Sequence, residues 1–174
     1  MKKNIFYLTL LLFFMFIFTV FYLGLDKPNF YTPKEVKNKN FEEFISFELF
    51  SNEQFNSKDI IEDNKFTLVN IWSSWCAPCR LEHSILMDLS EKKNLNIVGL
   101  NYKDKKNNAI KFLSELGNPF SKILTDPDGV ISISLGAYGV PETFLINNES
   151  NVIRKYIGPL THDNILEIIN LIKS

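Results

Sequence analysis

The chain has 174 residues, 45% of them hydrophobic and 14% aromatic, with 19 Lys and Arg against 20 Asp and Glu. Such a length allows one soluble domain plus an appendage; with Lys2 and Lys3 set aside, 17 basic residues face 20 acidic ones, a balance of −3 that leaves no basic footprint for a nucleic acid. Two cysteines and two histidines, His83 and His162, are present, and no second C-x-x-C or H-x-x-H completes the ligand set of a structural zinc site.

Between Lys3 and Asp26 no charged residue occurs. Coiled into a helix, this stretch spans roughly 30 Å, the thickness of a bilayer core. A secretory signal peptide is the rival reading, because Lys2 and Lys3 form a basic leader. The apolar stretch outruns the usual apolar region of such peptides, however, and Phe21-Tyr22-Leu23-Gly24-Leu25 carries no A-x-A-like cleavage site. Residues 1–25 therefore read as an uncleaved anchor, single-pass, with the lysines in the cytoplasm and the rest beyond the inner membrane. Residues 26–40 are polar, with Pro28 and Pro33, and read as a linker. The domain proper is 41–174.

Within it, Phe44-Ile45-Ser46-Phe47-Glu48-Leu49 alternates as a half-buried strand does. Ser57, ahead of Lys58-Asp59-Ile60-Ile61, is a candidate cap for a short helical turn; residues 51–64 otherwise give no usable signal. The apolar run Phe66-Thr67-Leu68-Val69-Asn70-Ile71-Trp72 reads as a buried strand. Leu81, Ile85, Leu86 and Leu89 then recur at helical intervals, which predicts a helix from after Cys76 to about Lys92. Ile97 to Tyr102 is a second strand, and Ala109, Ile110, Phe112, Leu113 and Leu116 mark a second helix that Gly117 ends. Asp126-Pro127-Asp128-Gly129 is a turn signal ahead of a short helix from Val130 to Leu135. Thr143–Ile146 and Val152–Ile157 read as a hairpin. A last helix starts at Thr161, with Ile165, Leu166, Ile168, Ile169 and Ile172 as its apolar stripe. The order, strand-helix-strand-helix and then strand-strand-helix, predicts an α/β domain. Its central sheet is mixed, parallel in the first half, with helices on both faces.

Cys76 and Cys79 lie at the junction of the buried strand and its helix. Unpaired N–H groups and the partial positive charge at a helix N-terminus stabilise a thiolate there. Cys76 is expected at that terminus facing solvent, with Cys79 more shielded one turn in; Pro78 is tolerated because the first turn has no N–H bond to lose. A purely structural disulfide over so short a loop adds little stability, and copper or other metal handling is the remaining use of such a pair. A redox dithiol is the preferred reading.

Trp75-Cys76-Ala77-Pro78-Cys79-Arg80 resembles the thioredoxin-type active site, and Gly139-Val140-Pro141-Glu142-Thr143-Phe144-Leu145-Ile146 resembles the block that carries the cis-proline of that fold. Joined by Glu82-His83, Asn101-Tyr102-Lys103-Asp104 and Tyr156-Ile157-Gly158-Pro159-Leu160, they make the chain from Phe44 onward similar to a family. These are the membrane-anchored thiol:disulfide interchange proteins of cytochrome c maturation, the DsbE/CcmG type. The resemblance implies a thioredoxin fold on a bacterial inner membrane, facing the periplasm, with no cofactor or metal besides the redox-active Cys76–Cys79 pair. It implies a reductant fed by a transmembrane thiol electron donor. The target would be the haem-attachment cysteines of apocytochrome c, or a maturation partner that holds them as a mixed disulfide.

By the same resemblance Cys76 attacks and Cys79 resolves. Pro141, in cis, brings its backbone beside the dithiol. Glu142 and Glu82 are acidic groups near it that raise the thiol pKa by like-charge repulsion and relay a proton. Trp75 is expected as a lid, with Tyr138, Ala77 and Pro78 lining the substrate groove; Trp72 belongs to the core and Arg80 to the solvated helix surface. Two alternatives stand beside this reading. One keeps the fold as a general periplasmic reductase or oxidase, and the other is a copper-binding maturation factor using the cysteines and a histidine.

Overall fold

The computed structural model describes residues 2–25 and 40–173, which fall into two compact units. The first is α1 (Lys2–Leu25), of which Lys3–Leu23 is long and apolar enough to cross a membrane. The hydroxyls of Thr9 and Thr19 donate back to Phe6 O and Met15 O at 2.8 and 2.7 Å. Neither is left seeking water, as a lipid surround requires. The expected linker lies outside the described residues except for Asn40, which bridges to Asn151.

The second unit begins with a two-stranded antiparallel ribbon, β1 (Ile45–Phe47) and β2 (Gln54–Asn56), followed by α2 (Ser57–Glu62). The main elements come next: β3 (Phe66–Trp72), α3 (Ala77–Ser90), β4 (Leu95–Tyr102), α4 (Lys106–Leu116) and β5 (Lys122–Asp126). They are followed by α5 (Val130–Ser134), β6 (Glu142–Asn147), β7 (Val152–Ile157) and α6 (His162–Lys173). Five strands form one sheet in the order β5-β4-β3-β6-β7. β3, β4 and β5 run parallel, and β6 is antiparallel to both β3 and β7. This is the mixed sheet of a thioredoxin-like fold.

Alternation along β3 sorts the core. Leu68 and Trp72 face a cluster with Leu86 and Leu89 of α3, Phe112 and Leu113 of α4, and Ile168 and Ile172 of α6. Val69 and Ile71 face the opposite cluster with Phe41, Phe44, Ile61, Leu124 and Phe144. Asn70 lies between them, fully buried and on the α3 side by the same alternation. Gly99 of β4 explains how Trp72 fits. A Cβ there would stand 2.8 Å from Trp72 Nε1, so glycine leaves the room in which the indole stacks on Phe120 at 5.5 Å.

Several expectations are corrected. β5 was not anticipated, because Lys122-Ile123-Leu124-Thr125-Asp126 offers only two apolar residues before a turn; both are buried. β1 is shorter than the expected strand, and its faces are reversed: Ser46 is buried whereas Ile45 and Phe47 are exposed. The inward side of this segment meets the edge of β5 through hydrogen bonds. Ser46 Oγ donates to Thr125 O at 2.5 Å, and Leu49 N to Ile123 O at 2.8 Å. The cap of α2 is Asn56, whose side chain accepts from Lys58 N at 2.9 Å. Ser57 Oγ instead accepts from Phe44 N at 3.0 Å. Leu81 and Leu166, both assigned to apolar stripes, are 78% and 50% exposed.

Candidate active site

The dithiol sits where β3 gives way to α3. Cys76 holds an extended backbone (φ −86°, ψ 108°) and caps the helix, its Sγ accepting from Cys79 N at 3.1 Å. The two cysteines form a disulfide with Cα atoms 5.3 Å apart. Cys76 does not face solvent in this oxidised state: it is 4% exposed and Cys79 2%. Its sulfur is turned inward by the bond to Cys79 and by the helix N–H it accepts. Ala77 and Pro78 form the exposed rim. Trp75 is also exposed, and its indole N–H donates to Lys103 O at 3.0 Å. Trp72 is buried, as its place in the strand predicts.

One turn beyond Cys79, Glu82 is buried at 1% exposure. Asn70 Nδ2 donates to its Oε1 at 2.9 Å and Leu160 N to its Oε2 at 2.7 Å. No cation is paired with it among the described residues. Burial therefore pushes its pKa above the usual carboxylate value, against the lowering effect of those two hydrogen bonds. Asn70 also donates to Thr143 Oγ1 at 2.9 Å, tying β3, β6 and α3 into one polar knot inside the core. Sequence reasoning passed over Asn70, although a lone amide within a largely apolar strand was the available signal.

Glu142 has different surroundings. It is fully buried at the start of β6, directly after a cis Val140–Pro141 bond. Its Oε1 accepts from Tyr138 N at 2.6 Å and Gly139 N at 3.2 Å, and its Oε2 lies 2.8 Å from Lys155 Nζ. Lys155 also donates to Gly136 O at 2.7 Å and sits 4.9 Å from the centre of the Tyr138 ring. The pair pins the 136–139 loop that leads into Pro141, whose carbonyl accepts from Gly158 N at 3.0 Å. Tyr138 itself is exposed. Lys155 was missed as well; in register it faces Phe144, one diagonal step from Glu142, within reach for a long side chain.

His83 follows Glu82 but points elsewhere. Its Nε2 donates to Gly117 O at 3.0 Å, its ring meets the edge of Phe112 at 5.0 Å, and burial pushes its pKa down. Among the described residues no three His, Cys, Asp or Glu side chains gather as metal ligands. Arg80 reaches Glu115 at 3.3 Å on the exposed surface.

Comparison with known proteins follows the same lines. Residues 37–169 match the family model Redoxin. The thiol:disulfide interchange protein CycY of Rhizobium leguminosarum is 47% identical over 103 residues, 59% of this chain and 55% of that protein; the chain spans about half the length of this curated relative. A Pasteurella multocida protein named "Probable thiol:disulfide interchange protein DsbE-2" is 34% identical over 160 residues, covering 92% of this chain and 84% of the relative. The solved structure of a DsbF homologue from Corynebacterium diphtheriae shares the fold. Its TM-score is 0.68 at 24% identity, over 83% of this chain and 96% of that one. With the helix-capping disulfide, the cis-proline and these matches together, the chain belongs to the Redoxin family, among its thiol:disulfide interchange proteins.

Proposed function

We propose that this protein is a thiol:disulfide oxidoreductase that reduces disulfides in the periplasm during cytochrome c biogenesis. In this proposal residues 1–25 anchor it in the inner membrane, 26–40 form the linker, and 41–174 are the catalytic domain. One observation carries the proposal: one turn beyond Cys79 of the disulfide that caps α3, Glu82 lies buried with no cation paired to it among the described residues.

In the reduced protein the N-terminus of α3 and the Cys79 N–H stabilise a Cys76 thiolate. That thiolate attacks one sulfur of the target disulfide. A Cys76–target bond forms, and the other target sulfur leaves as a thiolate and takes up a proton. Cys79 then attacks Cys76 Sγ, releasing the second target thiol and closing the Cys76–Cys79 disulfide. Two electrons pass to the target. Before it attacks, Cys79 must give up its proton. Glu82, three residues on and on the same helix face, is the base, and burial, by raising its pKa, makes its carboxylate a stronger proton acceptor than an exposed one.

An anionic Glu82 also disfavours the thiolates, which makes the reduced form less stable and the couple more reducing. Glu142 adds little to that repulsion because Lys155 meets its charge; its part is to hold the loop before Pro141. The backbone around Pro141 then receives an extended target segment, with Trp75, Tyr138, Ala77 and Pro78 along the groove. The target is the haem-attachment cysteine pair of apocytochrome c or a maturation partner bound to it. With no other cysteine in the chain, a transmembrane thiol donor must restore the dithiol.

The test pairs two variants with a strain. Cys76→Ala abolishes disulfide reduction, whereas Cys79→Ala accumulates mixed disulfides that non-reducing gels resolve. A deletion strain loses holo-cytochrome c and regains it with the wild-type chain but not with Cys76→Ala. Normal holo-cytochrome c in the deletion strain would overturn the biogenesis role; undiminished reduction by Cys76→Ala would overturn the mechanism.

A further inference from the structure

The motif Asn101-Tyr102-Lys103-Asp104 has no part in the chemistry above, yet it grips the chain just ahead of Cys76. Asp104 Oδ2 accepts from Ser74 N at 2.6 Å and from Asn101 Nδ2 at 3.1 Å. Its Oδ1 accepts from Ser74 Oγ at 2.8 Å and Lys105 N at 2.7 Å. On one side of Ser74, Ser73 Oγ donates to Tyr102 O; on the other, the Trp75 indole donates to Lys103 O. Three consecutive residues are thus held by one turn, and Cys76 N in turn donates to Ser73 O at 3.2 Å.

The turn is itself constrained. Lys103 adopts φ +45°, a left-handed conformation that a side chain makes unfavourable. It is held there on both sides: its N–H donates to Asp126 O at 2.9 Å and its carbonyl receives the Trp75 indole. Asp126 is fixed in its own right, its buried carboxylate accepting from Ile131 N, Ser132 N and Ser132 Oγ. A residue kept in an unfavourable conformation with its carbonyl bonded to the active-site loop points to a role in shaping that loop.

We propose that Asp104 is a positioning residue for the dithiol, holding Ser73-Ser74-Trp75 so that Cys76 Sγ stays aligned with the N-terminus of α3. This rests on the redox reading of Cys76 and Cys79. Asp104 touches no reacting atom; it acts through Ser74.

Charge and position predict opposite signs, which makes the idea testable. Were Asp104 acting only as a nearby negative charge, both Asp104→Ala and Asp104→Asn would lower the pKa of Cys76. Positioning predicts that Asp104→Ala raises it, because the thiolate loses its alignment with the helix N–H groups. Asp104→Asn keeps one oxygen for Ser74 and restores most of the wild-type value.

The measurement is the pH dependence of Cys76 alkylation in the full chain, reduced and held in detergent micelles, beside its rate of reducing a model disulfide. Asp104→Ala should slow that reduction by about tenfold, in line with the cost of misplaced reacting groups, while Asp104→Asn stays near wild type. Should Asp104→Ala fail to fold, Ser74→Ala removes one clamp bond and should shift the Cys76 pKa upward by less. A lowered pKa in both Asp104 variants, or an unchanged pKa with only a fall in melting temperature, overturns the proposal. Failure of the wild-type chain to reduce the model disulfide would instead indict the redox reading, and the alkylation profile would still judge the clamp.

Discussion

Lys155→Met puts the loop before Pro141 under direct test. The Lys155 side chain is 6% exposed and that of Glu142 0%, with Nζ and Oε2 2.8 Å apart. Removing the cation strands a carboxylate that still accepts from Tyr138 N and Gly139 N but has lost its counter-charge. Breaking a buried pair by deleting one partner costs about 3–5 kcal/mol. For a domain of this size that is a drop in melting temperature of about 10–20 °C. The bond from Lys155 to Gly136 O is lost too, which places the estimate toward its upper end.

Glu142→Gln in the same background removes the stranded charge while keeping an oxygen for the loop N–H groups, so the double variant should recover most of the loss. Trp72 and Trp75, the only tryptophans, both lie in the domain and report its unfolding by fluorescence in the full chain in detergent. A loss below about 1 kcal/mol for Lys155→Met, the size of an exposed pair, would refute the buried ion pair as the fixture of this loop. Additive single-variant losses would refute the coupling.

Other outcomes follow from the same structure. Because the folded protein holds the Glu82 proton above the ordinary value of 4.5, it binds more protons than the unfolded chain just above that pH. Wild-type stability should therefore fall as pH rises from about 4.5 through the raised value. Glu82→Gln should lack that decline, and parallel melting curves across pH 4–8 would contradict the assignment. The same variant should slow resolution of the mixed disulfide on the order of 100-fold, the usual worth of a positioned base, as seen by stopped-flow with a disulfide peptide. Gly99→Ala should destabilise by about 1–3 kcal/mol through overpacking against Trp72 and Phe120. A neutral result in urea titration would show that the indole has room to move.

Much of this arrangement was legible in the sequence because the informative segments are locally consistent. The strand at Phe66–Trp72, the helix after Cys76 and the closing hairpin carry clear apolar patterns, and the structure forms all three. The C-x-x-C at the first junction and the Gly-Val-Pro-Glu-Thr block lie in those segments. What escaped depends on partners distant in sequence. β5 is a strand because β4 and the Ser46–Leu49 segment supply hydrogen bonds on either side. Ser46 is buried for the same reason, against its intrinsic preference. Asn70 and Lys155 matter through Glu82 and Glu142, 12 residues after and 13 before them in the chain. A carboxylate's counter-charge cannot be read from periodicity, and so two glutamates that looked alike as residue types have opposite electrostatics.

The central claim is the direction of electron flow, and the reduction potential of the Cys76–Cys79 couple tests it most directly. The full chain in detergent is equilibrated with thiol–disulfide buffers, and the oxidised fraction is read from thiol labelling. The buried Glu82, with no cation paired to it among the described residues, predicts a reducing couple, near the value of about −270 mV that thioredoxin shows. A potential near −120 mV, that of a strong disulfide donor, would contradict it.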